Sequence, residues 1–413
     1  MKKTLLLSVV ASTMIMAGGD IAPVEPVVET PVVAEASGWD FSGQGVVYYQ
    51  TIDAFGAQSL FDQASSVADA GIQLKAVNKD VFAGIGFGAT LNGLATLNLE
   101  NYLVSNTMQR ASGDTLQGGW IGELYVTYGL GDTSVKLGRQ TLPQSLSPFA
   151  YSENWNVFEN TYDAALVVNS SIPDTTLVYA WVYNANQNGY PQLRGTILTP
   201  DNGGNMGDFG RPGAYQKGIH MVTAQNKSIS NLTLTGSWYY GQDLLGSGNN
   251  LSILWGDAAY DAGSFNVAVQ GGQISPDTLK DTTAFGAKIG ASFAGINAHI
   301  AYSTVDDGDV SMLNVGGQQT SLYTQMIINE AFNSSDNDTV VVAANTNLLG
   351  GTFGAAYGMT TDNSAAGLDY NELDVYYAAD MLGGNYLVGY VNMDADAHTD
   401  SNNVVRVVAR YNF

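Results

Sequence analysis

Cysteine is absent from the 413-residue chain. Disulfides therefore cannot hold the fold, and thiol nucleophiles, thiolate metal sites and cysteine-linked lipid anchors are excluded. Histidine is nearly absent. His220, His299 and His398 are scattered, without an HExxH pattern, so a zinc site or a His-activated nucleophile lacks its parts. Basic side chains are scarce: 15 Lys+Arg stand against 38 Asp+Glu, a net charge of -23, which argues against nucleic acid as a partner. Long apolar runs are missing past the N-terminus. A helical membrane span needs about 20 mostly apolar residues, so none is expected. All charged residues together are only 13% of the chain. Low charge without apolar runs suits a sheet with one greasy face and one wet face.

What is present begins with a leader. Lys2 and Lys3 precede an apolar stretch from Leu5 to Met16, followed by the small residues Ala17, Gly18 and Gly19. That pattern predicts a cleaved secretory signal peptide over 1–19. The stretch 20–38, DIAPVEPVVETPVVAEASG, repeats Pro, Val and Glu without a period and reads as an extended periplasmic linker. The barrel proper is then expected over 39–413.

From Trp39 onward, short segments alternate strictly. Phe285, Ala287, Ile289, Ala291 and Phe293 share one face, and Ala284, Gly286, Lys288, Gly290 and Ser292 the other. Phe353, Ala355, Tyr357 and Met359 oppose Gly354, Ala356, Gly358 and Thr360. Such a period of two marks strands with unlike faces. Tight links such as Gly131-Asp132, Pro173-Asp174, Leu349-Gly350 and Leu382-Gly383 alternate with long polar ones near 53–67, 92–118, 142–160, 185–216 and 304–337. The count is about 18 strands, even as bacterial barrels require, with an uncertainty of two because 94–104 is apolar enough to pair. The expected fold is thus all-β: a transmembrane antiparallel up-and-down barrel with short periplasmic turns and long extracellular loops. In hydrocarbon, only closure removes unpaired strand edges. Trp120, Tyr128, Trp238, Tyr240, Tyr377, Tyr386 and Phe413 are expected in the aromatic girdles.

The last strand puts Val405, Val407, Ala409, Tyr411 and Phe413 outward, with Arg406 and Arg410 inward because two guanidiniums avoid lipid. Glu123, Lys136 and Lys288 also face in, giving a polar lining and hence a water channel. The outer loops hold acidic groups at Asp306, Asp307, Asp309 and at Asp394, Asp396, Asp400. These either bind Ca²⁺, bridge through divalent ions to anionic surface lipid, or are simply solvated; none has the EF-hand spacing, and no cofactor is expected. A surface adhesin or structural protein anchored by its barrel stands as the alternative to a channel, although no large passenger domain is present. No nucleophile constellation supports an enzyme.

The stretch KLGRQTLPQSLSPFAYSENWNVFENTYDAALVVNSSIPDTTLVYAWV from Lys136 to Val182 resembles the major outer-membrane porins of Epsilonproteobacteria, relatives of the OprD-like porins. The leader with its linker, Trp39–Gln50, Ser321–Asn329 and the Tyr411–Phe413 end are similar to that family too. The resemblance implies an outer-membrane barrel, usually trimeric, that passes small hydrophilic solutes and ions and often favours cations. The aromatic end implies reading of Phe413 by the barrel-assembly machinery, and the location implies lipopolysaccharide neighbours. It further implies that 142–160 folds inward as a constriction, with the Tyr323 region as a second inward segment. Glu153 and Glu159 are then either eyelet acids or solvated loop carboxylates, with Lys136, Arg139, Arg406 and Arg410 on nearby wall. Opposed charges across a narrow pore would select ions.

Overall fold

The computed structural model describes residues 38–113, 115–186, 205–209, 217–246 and 248–413. The expected leader, and the linker as far as residue 37, lie outside them. The strands are β1 (Asp40–Ile52), β2 (Ser66–Phe82), β3 (Ile85–Ala95), β4 (Gln117–Leu130), β5 (Thr133–Gln140), β6 (Tyr162–Asn169), β7 (Thr175–Ala185), β8 (Ile219–Ile229) and β9 (Leu232–Gly241). They continue as β10 (Leu251–Asp261), β11 (Phe265–Pro276), β12 (Thr282–Phe293), β13 (Ile296–Val305), β14 (Asn337–Leu348), β15 (Gly351–Asp362), β16 (Tyr370–Met381), β17 (Gly384–Ala395) and β18 (Asn402–Asn412). Each pairs antiparallel with its sequence neighbours, and β1 pairs with β18, so the 18-stranded sheet closes and has no edge. Phe413 completes the seam by exchanging backbone hydrogen bonds with Gly43 (2.7 and 3.0 Å).

Alternation is what separates the two faces. Val267, Ile289, Ile300, Val342 and Tyr357 are cross-strand partners in one row over five strands, and all of them are exposed on the outer wall. Adjacent branched and aromatic side chains at this spacing reinforce the pairing. At one rim the links are turns of two to five residues; at the other lie nine loops of five residues or more. These are L1 (53–65), L2 (96–116), L3 (141–161), L4 (186–218, described in part), L5 (242–250), L6 (277–281), L7 (306–336), L8 (363–369) and L9 (396–401).

Two sequence expectations shift. Val81, Ala83 and Ile85 alternate in the sequence as one strand of 81–91 would, but the chain folds at Ala83-Gly84, both at positive φ (52° and 81°), as a two-residue hairpin requires. A register irregularity between Asn78 and Phe82 keeps the apolar pattern running through the turn. Segment 94–104 adds no strand, because Leu97 and Asn98 take left-handed φ (56° and 64°) and lead into a 3₁₀ turn at Leu99–Asn101.

Candidate functional site

L3 enters the bore and touches opposite walls. Its first half is apolar. Phe149 meets inward-facing Trp255 and Tyr239 edge-on, with ring centroids 5.2 and 5.9 Å apart, and its amide donates to the Tyr239 hydroxyl at 3.2 Å. Its second half places Val157 and Phe158 against Trp120, Tyr48 and Val408. Gly71 of β2 makes this approach possible: a Cβ there would lie 2.7 Å from the Phe158 ring. Arg410 then fixes the loop. Its guanidinium donates to the carbonyls of Val157 (2.8 Å), Asn156 (2.5 Å) and Asn154 (3.4 Å). A planar cation with several donors suits three converging carbonyls.

L7 is anchored by the opposite charge. The amides of Ile327 and Ile328 donate to Asp374 (3.3 Å) and Glu372 (3.0 Å) on β16. Glu153 joins L7 to L3. Its carboxylate accepts from Asn314 Nδ2 (2.9 Å), the amides of Gln318 (2.9 Å) and Gln319 (2.8 Å), and Trp155 Nε1 (2.8 Å). Gly317 must lack a side chain, since a Cβ would sit 1.9 Å from Glu153 Oε1. Burial pushes the Glu153 pKa up, while these four donors pull it back down. Further bonds run between Tyr151 and Asn314 (2.9 Å) and between Val315 and the Phe149 carbonyl (2.9 Å), so the two loops form one interlocked body.

One group of lumen-facing charges lies on the β18–β1–β5 side. Lys75 pairs with Glu123 at 3.0 Å, and Thr90 donates to the same carboxylate at 2.9 Å. Lys136 lies 3.8 Å above the Tyr125 ring. Arg406 donates to Gln50 at 3.0 Å and lies 5.7 Å from the Trp155 ring. Glu159 keeps an exposed side chain in this field. Confinement by protein and the Glu123 charge raise its pKa, and Arg410 and Lys75 lower it.

Of the residues expected to line the pore, Glu123, Lys136, Glu159, Arg406 and Arg410 share this sector. Lys288 faces in from the far wall, 4.9 Å from the Tyr323 ring of L7. Glu153 is neither an open eyelet acid nor a solvated one, because it is consumed as the staple between loops. Arg139 faces the wrong way. It stands three residues from Lys136, and in a strand an odd separation puts two side chains on opposite faces. Its cross-strand partner Leu124 and its neighbour Leu137 are both exposed outside. There it pairs with Asp163 (2.8 Å) under the Phe209 ring. Trp120 is also moved, from the girdle to the bore, because the bulge at Ile121–Glu123 switches the face of β4. Trp155, Glu372 and Glu330 were not singled out. Inward parity marks Lys75 and Glu372, but nothing in the pattern marks loop residues.

Among the described residues, no three Asp, Glu, His or Cys side chains are placed to hold a metal ion. The acids around 306–309 are engaged locally instead. Asp306 accepts from the Thr283 amide (2.8 Å), Asp309 from the Lys280 amide (2.7 Å), and Asp307 pairs with Lys280.

A closed 18-stranded antiparallel barrel, narrowed by two inward loops, defines the class. No protein-family model matches the chain, and no curated protein matches its sequence. Solved structures do match its fold. OccK8 (OprE) of Pseudomonas aeruginosa is 14% identical with a TM-score of 0.71, over 91% of this chain and 98% of that one. OpdK of Pseudomonas aeruginosa, solved with vanillate, gives a TM-score of 0.70 at 14% identity over 91% and 98%. OccAB3 of Acinetobacter baumannii gives 0.69 at 12% identity over 91% and 99%. At this identity the likeness speaks for the fold.

Proposed function

We propose that the protein is an outer-membrane porin, a non-enzymatic channel for passive diffusion of small hydrophilic solutes and ions, with a preference for cations. The observation that carries this reading is a bore with charged, water-accessible side chains, enclosed by a wall whose outer face is apolar. Lys75 and Glu159 remain open inside it, beside the L3–L7 body. An apolar outer face around a closed sheet fits hydrocarbon, and a wet interior fits solute passage. OpdK, solved with a small aromatic acid, supports solutes of that size. The finer parts belong to the same proposal. Residues 1–19 form a cleaved leader and 20–38 a periplasmic linker. Barrels associate as trimers among lipopolysaccharide, after assembly guided by Phe413. The protein itself is then kin to the epsilonproteobacterial major outer-membrane porins.

Reconstitution in planar bilayers tests the reading. Stepwise ohmic currents, with a reversal potential of cation sign under a salt gradient, are expected. Silent bilayers would leave the barrel as an anchor, and a reversal potential at zero would remove the cation preference.

A further inference from the structure

The short-turn rim is not uniform in the residues its turns present. Several of its turns place a non-glycine residue in the left-handed region. Around β6–β9 that residue is Asp174 (φ 55°) or Asn231 (φ 64°), the types whose short polar side chains tolerate this conformation. Around β14–β17 it is Leu349 (φ 52°) or Leu382 (φ 52°). Leucine gains nothing locally from that backbone. Both leucines point away from the protein: Leu349 is 90% exposed and Leu382 92%. A strained position given to a large apolar side chain with no protein contact implies an apolar surrounding outside the chain.

The neighbours say which surrounding. Leu348 and Met381, the strand residues just before these turns, are themselves exposed and continue the outer wall. Tyr377, an outer-wall tyrosine, donates to the carbonyls of Leu348 (3.2 Å) and Leu349 (3.1 Å). The Tyr411 ring lies against Gly383, 3.1 Å from where a Cβ would be. Outer-wall tyrosines mark the headgroup level of a membrane barrel, so these tips sit at that level. The other sector also exposes apolar residues, Leu130 and Ile229 at strand ends and Ile172 within its turn, but there the turns also present Asp132, Asp174 and Asn231, all exposed.

We infer that the barrel is seated obliquely: Leu349 and Leu382 hold the β14–β17 rim inside the phospholipid leaflet, while the β4–β9 rim ends in water. This rests on the outer-membrane reading above and adds a lipid contact and a tilt to it.

The chain lacks cysteine, so single-cysteine variants label cleanly. Leu349→Cys, Leu382→Cys, Asp132→Cys and Asn231→Cys carry an environment-sensitive fluorophore. Val342→Cys on the outer wall serves as the membrane marker. Full-length protein is read in phosphatidylcholine vesicles with and without bromine high on the acyl chains. Labels at 342, 349 and 382 are expected to be quenched about twofold, and those at 132 and 231 hardly at all. A second set keeps the leucines in place: a label at Met381→Cys is read with and without Leu349→Asn plus Leu382→Asn. Asparagine suits the turn, so this variant folds, and quenching at 381 is expected to fall about twofold. No quenching at 342 would defeat the membrane reading itself. Quenching at 342 with none at 349 and 382, or equal quenching at all four tips, would overturn the oblique seat. Tips shielded from both lipid and an aqueous quencher would overturn it too, in favour of burial against a second copy.

Discussion

The two inward loops are held by opposite charges. L3 is tied to the wall by a guanidinium, Arg410, which donates to loop carbonyls. L7 is tied by carboxylates, Asp374, Glu372 and Glu153, which accept from loop amides. Both solutions satisfy backbone groups that the bore would otherwise leave unpaired. They differ in what can undo them. A guanidinium keeps its charge at any ordinary pH. The carboxylate side gathers like charges, since Glu330 of L7 lies near both Glu372 and Glu153. The L7 anchor is therefore the one that acidity strengthens, and the Arg410 grip on L3 is the one that keeps its charge.

Glu153→Ala should break the difference most strongly, because it removes the point where the loops meet. The Asn314, Trp155, Gln318 and Gln319 donors lose their acceptor, at about 1–3 kcal/mol for each donor left buried. Open-channel current should rise and become noisy, and an unchanged trace would show that the loops hold without it. Arg410→Ala comes next. It frees one end of L3 at a cost of about 2 kcal/mol. Arg410→Lys should rescue little, because an ammonium cannot span three carbonyls; full rescue would mean that charge alone suffices.

A pH series sharpens the contrast. Burial, with Glu372 and Glu153 adding to it, pushes Glu330 from its ordinary 4.5 up to about 8. The docked loop then binds the proton more tightly than the free loop. Docking is strongest below about 4.5 and weakens as pH climbs towards 8. Channel noise should grow over that window and flatten in Glu330→Gln; noise that falls as pH rises would reverse the assignment. The smallest effect belongs to Glu159→Gln. It removes one open lumen charge and should move the reversal potential a few millivolts towards anions, while Arg139→Gln, outside the wall, should not move it. Equal shifts would erase the distinction between bore and wall.

Most of the barrel was legible because its signal repeats. Every strand carries the period of two, and turns such as Leu349-Gly350 and Leu382-Gly383 punctuate it, so even errors at Ala83-Gly84 left the count intact. The site was legible only where it lies on regular strands. Arg406 and Arg410 followed from parity. Trp120 did not, because one bulge in β4 switches the face. Arg139 shows the opposite failure, since its position relative to Lys136 already excluded the bore. Glu153 was visible as an acid in a long loop, but its role depends on Asn314 and Gln318, far along the chain. No local pattern carries a contact made across that distance.

The most direct measurement is the solute-size cut-off of vesicles carrying the full-length protein, read by swelling in sugars of increasing size, for the wild type and Glu153→Ala. An interlocked L3–L7 body narrowing a water-filled bore predicts uptake of small sugars, a sharp fall with size, and a cut-off that moves upward in the variant. Vesicles that admit no sugar, or identical cut-offs for the two proteins, would contradict it.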